Sequence, residues 1–70
     1  MTMPFERTQS VVRTRIFLRK LLDAKQSPRV PSHIRREAQA LLRHYPENVD
    51  LHLLARHVPD WWSAPDELSP

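Results

Sequence analysis

The chain of 70 residues contains no cysteine and no glycine. Without cysteine it can form no disulfide, no thiolate zinc site and no thiol nucleophile, and it suits a reducing compartment, so we expect a cytoplasmic location. Without glycine it cannot build the glycine-rich loop that cradles phosphates, nor the glycine-flanked turn that carries a nucleophilic serine. Both absences argue against an enzyme.

Long apolar runs are missing as well. No stretch approaches the roughly eighteen apolar residues of a membrane-spanning helix, and residues 1–6 lack the charged and apolar regions of a secretory signal. A chain of this length builds one small core and leaves little room for a deep catalytic cleft. We therefore expect one small domain that is neither an enzyme nor inserted in a membrane.

Seven prolines are the most informative residues that are present. Proline lacks the backbone N–H and crowds the preceding helical turn, so Pro28, Pro31, Pro46 and Pro59 separate the chain into helix-length segments. The pattern predicts a compact all-α fold of three helices joined by short loops, at about residues 7–25, 33–45 and 49–58.

The flanking segments complete the predicted organisation. Pro4 is expected to keep residues 1–5 out of the first helix as a short arm. Ser32 and Asn48 are candidate N-caps of the second and third helices. We expect a single domain over residues 1–62 and a flexible tail over residues 63–70, which contains little to bury.

Apolar residues at helical spacing predict the core. In the first helix, Val12 and Ile16 lie on a flank away from the main stripe, beside arginines, and this flank is either a wide core face or a contact surface. The predicted core consists of one of the two indoles and of Phe17, Leu18, Leu21, Leu22, Ile34, Ala38, Leu41, Leu42, Leu51, Leu54 and Val58.

Charge is distributed unevenly along the chain. Residues 1–44 carry ten Lys/Arg against three acids, and residues 45–70 carry one Arg against five acids. The imbalance means either a basic face for an anionic partner or an attraction between the two halves of the fold. The arginines that could contact nucleic-acid phosphates are Arg13, Arg15, Arg19, Arg36 and Arg43.

Two observations oppose a nucleic-acid function. The second and third helices have helix-turn-helix proportions, but Pro46 occupies their turn and the third helix carries little positive charge. The arginines can equally solvate helix faces and pair with acids such as Asp23, four residues after Arg19.

No catalytic, cofactor-binding or metal-binding residues are predicted. The four histidines, His33, His44, His52 and His57, do not have the spacing of a metal site. The carboxylates fall at a helix start or near the C-terminus, where they lack the rigid, buried setting of an acid–base pair.

The adjacent tryptophans, Trp61 and Trp62, favour an interaction function. Two neighbouring indoles are seldom both buried by so small a domain, and exposed aromatic residues are typical of interface anchors. Apolar flanks on the first and third helices add further candidate contact area, unless all of it closes into one core. The predicted protein interface consists of Ile16, Arg19, Leu53, Trp61 and Trp62.

Three segments carry a resemblance to a known family. They are the opening MTMPFERT, the central LLRHYP at residues 41–46, and LxLLARxVPxWW at residues 51–62. Together they resemble a family of short, uncharacterised proteobacterial proteins. The resemblance implies three helices, the second ending in Arg-His-Tyr-Pro and the third in Pro-x-aromatic, and it implies no activity or catalytic residues.

The favoured hypothesis is a small non-enzymatic helical module that acts through protein–protein contact, with another protein or with a second copy of itself. The alternative is a nucleic-acid-binding or regulatory module that uses the arginine-rich faces of the first two helices.

Overall fold

The computed structural model of the chain describes residues 2–65. It contains three helices, α1 (Pro4–Leu22), α2 (Ser32–Leu42) and α3 (Asn48–His57), and residues 2–65 include no strand. The predicted all-α, three-helix fold is therefore confirmed. Within this range no helix is both long and apolar enough to cross a bilayer.

The first helix begins earlier than predicted, at Pro4. Proline suits the first helical position, because the N–H that it lacks would have no partner in the helix and its fixed φ is already helical. Glu6 supports this start, since its carboxylate accepts a hydrogen bond from the Met3 N–H at 2.8 Å. The prediction that Pro4 excludes residues 1–5 from α1 is thus wrong, and the arm is reduced to the residues before Pro4.

The same helix also ends earlier than predicted, at Leu22. Asp23 stops it, because its carboxylate oxygens accept hydrogen bonds from the Lys25 N–H at 2.9 Å and the Gln26 Nε2 at 3.2 Å. A short polar side chain that binds nearby backbone groups favours a turn over a further helical turn.

The connection from α1 to α2 is organised by Arg35. Its guanidinium donates to the carbonyl oxygens of Leu22 at 3.4 Å, Val30 at 3.3 Å and Ser27. One side chain of α2 therefore binds the end of α1 and two positions of the loop, which fixes a connection that has little secondary structure of its own.

The two later helices begin in different ways. Pro31 precedes α2 without a side-chain cap, so Ser32 is the first helical residue and not the predicted N-cap. A reciprocal capping box precedes α3: Glu47 accepts from the backbone of Asp50, and Asp50 accepts from the Glu47 N–H at 2.9 Å. The predicted cap, Asn48, is the first residue of α3.

The chain divides into two units. The first unit takes residues 2–13 and 46–65 of the described range, and the second takes residues 14–45. The single domain expected over residues 1–62 stays a prediction. Buried side chains of the first unit include Thr8, Val12 and Leu51; those of the second include Arg15, Leu18 and Ala38.

Several predicted core residues lie at the surface instead. Phe17 is 56% exposed and Leu41 is 60% exposed, and Leu22 and Val58 are exposed as well. Conversely, Val12 is buried, although the periodicity placed it on the flank of α1. Because α1 carries apolar residues on more than one side, its sequence pattern did not identify the side that packs.

The first residues of the predicted flexible tail make contacts within the first unit. Thr8 Oγ1 donates to the Ser63 carbonyl oxygen at 2.8 Å and accepts from the Ser63 N–H at 3.0 Å. Pro65 is buried. The chain is therefore held through residue 65, and the rest of the predicted tail, residues 66–70, lies outside the described residues.

Candidate binding surfaces

The tryptophan turn, residues 59–62, follows α3 in the first unit. The backbone N–H groups of Trp61 and Trp62 both donate to the Val58 carbonyl oxygen, at 3.1 and 3.0 Å. Pro59 follows the end of α3, as predicted, and both tryptophans lie in the turn after it. The turn positions two indoles immediately after the C-terminus of α3.

Arg7 binds this turn from α1. Its guanidinium carbon lies 5.1 Å from the centroid of the Trp61 ring and 6.0 Å from that of Trp62, within the range of cation–π attraction. The same group donates hydrogen bonds to the Trp61 carbonyl oxygen and, at 3.3 Å, to that of Thr2. The Arg7 side chain therefore binds both Thr2, near the start of the chain, and the tryptophan turn.

Thr8 binds Ser63, the residue that follows the tryptophan turn. Its hydroxyl both donates to and accepts from the backbone of Ser63, and the side chain is almost completely buried. A partly buried pair with both hydrogen bonds made is costly to separate, because separation leaves polar backbone groups without partners. Arg7 and Thr8 thus bind the C-terminal part of the tryptophan turn and the residue that follows it.

Trp61 remains largely exposed in spite of these contacts. Its exposed fraction is 59%, whereas Trp62 is partly buried. This agrees with the expectation that so small a domain does not bury both indoles. The other exposed large apolar residues of the first unit are Met3, Phe5, Val49, Leu53 and Val58.

The third helix exposes an apolar pair of its own. Val49 and Leu53 are four residues apart, so they are neighbours on one side of the helix. Leu51 is turned the other way, into the core of the first unit, with an exposed fraction of only 1%. Helix α3 is therefore apolar on both its buried and its solvent-facing sides, as its sequence predicts.

The predicted interface residues fall into both units. Leu53, Trp61 and Trp62 belong to the first unit, while Ile16, partly buried, and Arg19, exposed, belong to the second. Sequence reasoning missed Arg7 and Thr8, which lie 54 and 55 residues before their partners. Nothing in the local pattern of residues 7 and 8 indicates so distant a contact.

The five arginines predicted to contact nucleic acid differ in their exposure. Arg13, Arg19, Arg36 and Arg43 are exposed. Arg15 is only 2% exposed and has an interaction partner within the protein, so it cannot reach a phosphate at the surface of this structure. This prediction for Arg15 is corrected: its position on α1 faces the packed side of the helix.

Four carboxylates that could form ion pairs with arginines accept hydrogen bonds from main-chain N–H groups. They are those of Glu6, Asp23, Glu47 and Asp50. The predicted pairing of Arg19 with Asp23 is not formed, because the Asp23 carboxylate binds Lys25 and Gln26. These acids therefore stabilise the fold by binding main-chain N–H groups at the helix ends.

The histidines and acids of residues 2–65 do not gather into a group of three or more that could hold a metal ion. The four histidines are exposed.

Comparison of the chain with protein-family models, with curated proteins and with solved structures finds no match. The resemblance to short proteobacterial helical proteins therefore stays a prediction.

Proposed function

We propose that the chain is a small, non-enzymatic, cytoplasmic binding module that acts through protein–protein contact, with its contact surface on the first unit. The observation that carries the proposal is the state of Trp61, which is held by Arg7 yet exposes 59% of its surface. A large aromatic side chain that is held before binding loses little conformational entropy when a partner covers it.

The surrounding residues support a protein partner. Leu53 and Val49 add an exposed apolar pair on α3, in the same unit as Trp61. Interface centres are typically enriched in aromatic and aliphatic residues and depleted of charge. Arg7 supplies an additional group of the type that is enriched at such centres, already stacked on the indole.

Site-specific photocrosslinking tests the proposal without requiring that the partner be known. A benzophenone amino acid replaces Leu53 in the full chain, and crosslinking is carried out in the cells from which the sequence comes. We expect a discrete protein adduct, and we expect Trp61→Ala to reduce its yield because the anchor is removed. An adduct of twice the chain mass would identify a second copy as the partner.

The matched control places the same amino acid at Ala24, an exposed position in the second unit. This position should give no discrete adduct. Equal labelling from positions 53 and 24, or no adduct from position 53, would contradict a contact surface on the first unit.

A further inference from the structure

The second unit carries most of the positive charge of the protein. Residues 14–45 contain eight Lys/Arg and two acids, a net charge of +6, while residues 1–13 and 46–70 contain three Arg and six acids, a net charge of −3. The charge imbalance of the sequence therefore follows the structural division. A small unit of this charge attracts polyanions.

Only some of these cations are available. Arg15 is buried, and Arg35 is bound to three carbonyl oxygens of the α1–α2 connection. Of the two acids, Asp23 is bound to the turn after α1. The accessible positive charge of the second unit therefore lies on its exposed basic side chains, which do not include Arg15 or Arg35.

Two of these side chains share one side of α2. Arg36 and Arg43 are seven residues apart, with Gln39 between them, and all three are exposed on the side opposite the buried Ala38. Arg43 follows the last helical residue with helical backbone angles, φ −56° and ψ −37°, so the spacing continues through it. We call this set the basic face of α2.

Neither arginine of the basic face is neutralised. Within residues 2–65, Arg36 and Arg43 form no ion pair, and the one acid of α2, Glu37, projects to a different side of the helix. Two exposed guanidinium groups without a carboxylate partner lose little when they bind an anion, because no existing ion pair has to be broken.

We propose that the basic face of α2 binds the phosphate backbone of nucleic acid without sequence specificity. Seven residues of helix span about 10.5 Å. Arginine side chains are long, so Arg36 and Arg43 can bind two separate phosphates of one strand, and Gln39 adds a neutral donor between them.

A membrane surface fits the same face less well. Helices that lie in a bilayer interface insert large apolar side chains beside their basic ones. Of the large apolar residues of α2, Ile34 and Leu42 are partly buried, and Leu41 is exposed but is about 140° around the helix from Arg36. The basic face itself carries no large apolar side chain, so the phosphate chain of a nucleic acid is the better partner.

The test is a fluorescence-polarisation titration of the full chain into labelled random-sequence duplex DNA over a range of salt concentrations. Wild type should bind at low salt and weaken as salt rises. The double variant Arg36→Gln with Arg43→Gln should bind roughly a hundredfold more weakly at about 50 mM salt, with a salt slope shallower by about 1.8, which is the counterion release of two contacts.

The matched control removes the same charge from the same unit. Lys25→Gln with Arg29→Gln alters two exposed cations of the α1–α2 connection and should retain most of the binding. Circular dichroism checks that both variants are folded. If the first double variant loses its helices, Arg36→Gln alone replaces it and should make the slope shallower by about 0.9.

Three results would overturn the proposal. The first is the absence of binding to duplex DNA at low salt. The second is an equal loss in both double variants, which would mean that net charge and not the basic face of α2 attracts DNA. The third is tighter binding to phosphatidylserine vesicles than to DNA with the same dependence on Arg36 and Arg43, which would identify a membrane surface instead.

Discussion

The two units of the chain leave different side chains in solvent. The first unit buries Val12 and Leu51 and exposes Trp61, whereas the second buries Arg15 and exposes Arg36. A core of this size cannot enclose every large side chain, so each unit exposes part of what it contains. Both units expose large apolar side chains, Phe17 and Leu41 among those of the second. The units differ in that the two indoles of the tryptophan turn belong to the first, whereas the second has the excess of positive charge.

The largest expected effect is the loss of packing in the first unit. Leu51→Ala removes a side chain that is 1% exposed, and we expect it to lower the free energy of unfolding by about 2 to 5 kcal/mol, because a buried leucine leaves a cavity. Urea denaturation followed by tryptophan fluorescence measures it, since both tryptophans lie in this unit.

Leu53→Ala is the matched control, on the same helix but 48% exposed. It should change the free energy of unfolding by no more than about 0.5 kcal/mol. Equal losses in the two variants would mean that α3 does not pack through Leu51.

A smaller loss of stability is expected when the hydrogen bonds between Thr8 and Ser63 are removed. Thr8→Val keeps the shape of the side chain but removes the hydroxyl, and should destabilise the first unit by about 1 to 3 kcal/mol because the Ser63 backbone groups lose their partners. Hydrogen exchange of the Ser63 amide should accelerate. Thr8→Ser retains the hydroxyl and should keep the Ser63 amide protected. An equal loss of protection in both variants would show that the Thr8 hydroxyl does not hold Ser63.

Arg7→Gln should have a further, smaller effect of about 1 kcal/mol, because it removes the cation–π contacts and the hydrogen bond to the Trp61 carbonyl oxygen. The tryptophan emission should change as the indoles gain freedom and water. Arg13→Gln removes an exposed arginine from the same helix and the same unit, and should leave the emission unchanged. A change of the same size in both variants would argue against a specific clamp by Arg7.

The smallest expected difference in stability between the units comes from substitutions at the first turns of α2 and α3. Asp50→Ala breaks the capping box of α3 in the first unit and should cost about 1 kcal/mol in thermal or urea unfolding. Ser32→Ala, at the uncapped start of α2 in the second unit, should change stability by no more than about 0.5 kcal/mol. The reverse order would show that Ser32 caps α2 in solution.

A comparison of α1 with α2 shows where sequence periodicity predicts burial correctly. In α2, the apolar residues lie on one side, and the periodicity correctly assigned Ala38 to the core, although Leu41 of the same stripe is 60% exposed. In α1, apolar residues occur on several sides, so the buried position of Val12 and the exposed position of Phe17 depended on which side met a neighbour.

The candidate site was predicted in part. The tryptophan turn and the exposed Leu53 follow from local pattern, since a proline ends the helix before the indoles and α3 is apolar on both sides. The clamp by Arg7 and the hydrogen bonds of Thr8 join positions more than fifty residues apart. No local pattern encodes such contacts, because they arise only after helices pack.

The sequence alone determined that the chain forms three helices, since prolines end helical segments by removing a backbone donor and by steric conflict, and both effects act locally. It also determined where positive charge is abundant. Only the tertiary structure decided which arginines are available, because burial of Arg15 and the carbonyl contacts of Arg35 depend on packing partners. The same packing left Trp61 exposed while tying its backbone to α1.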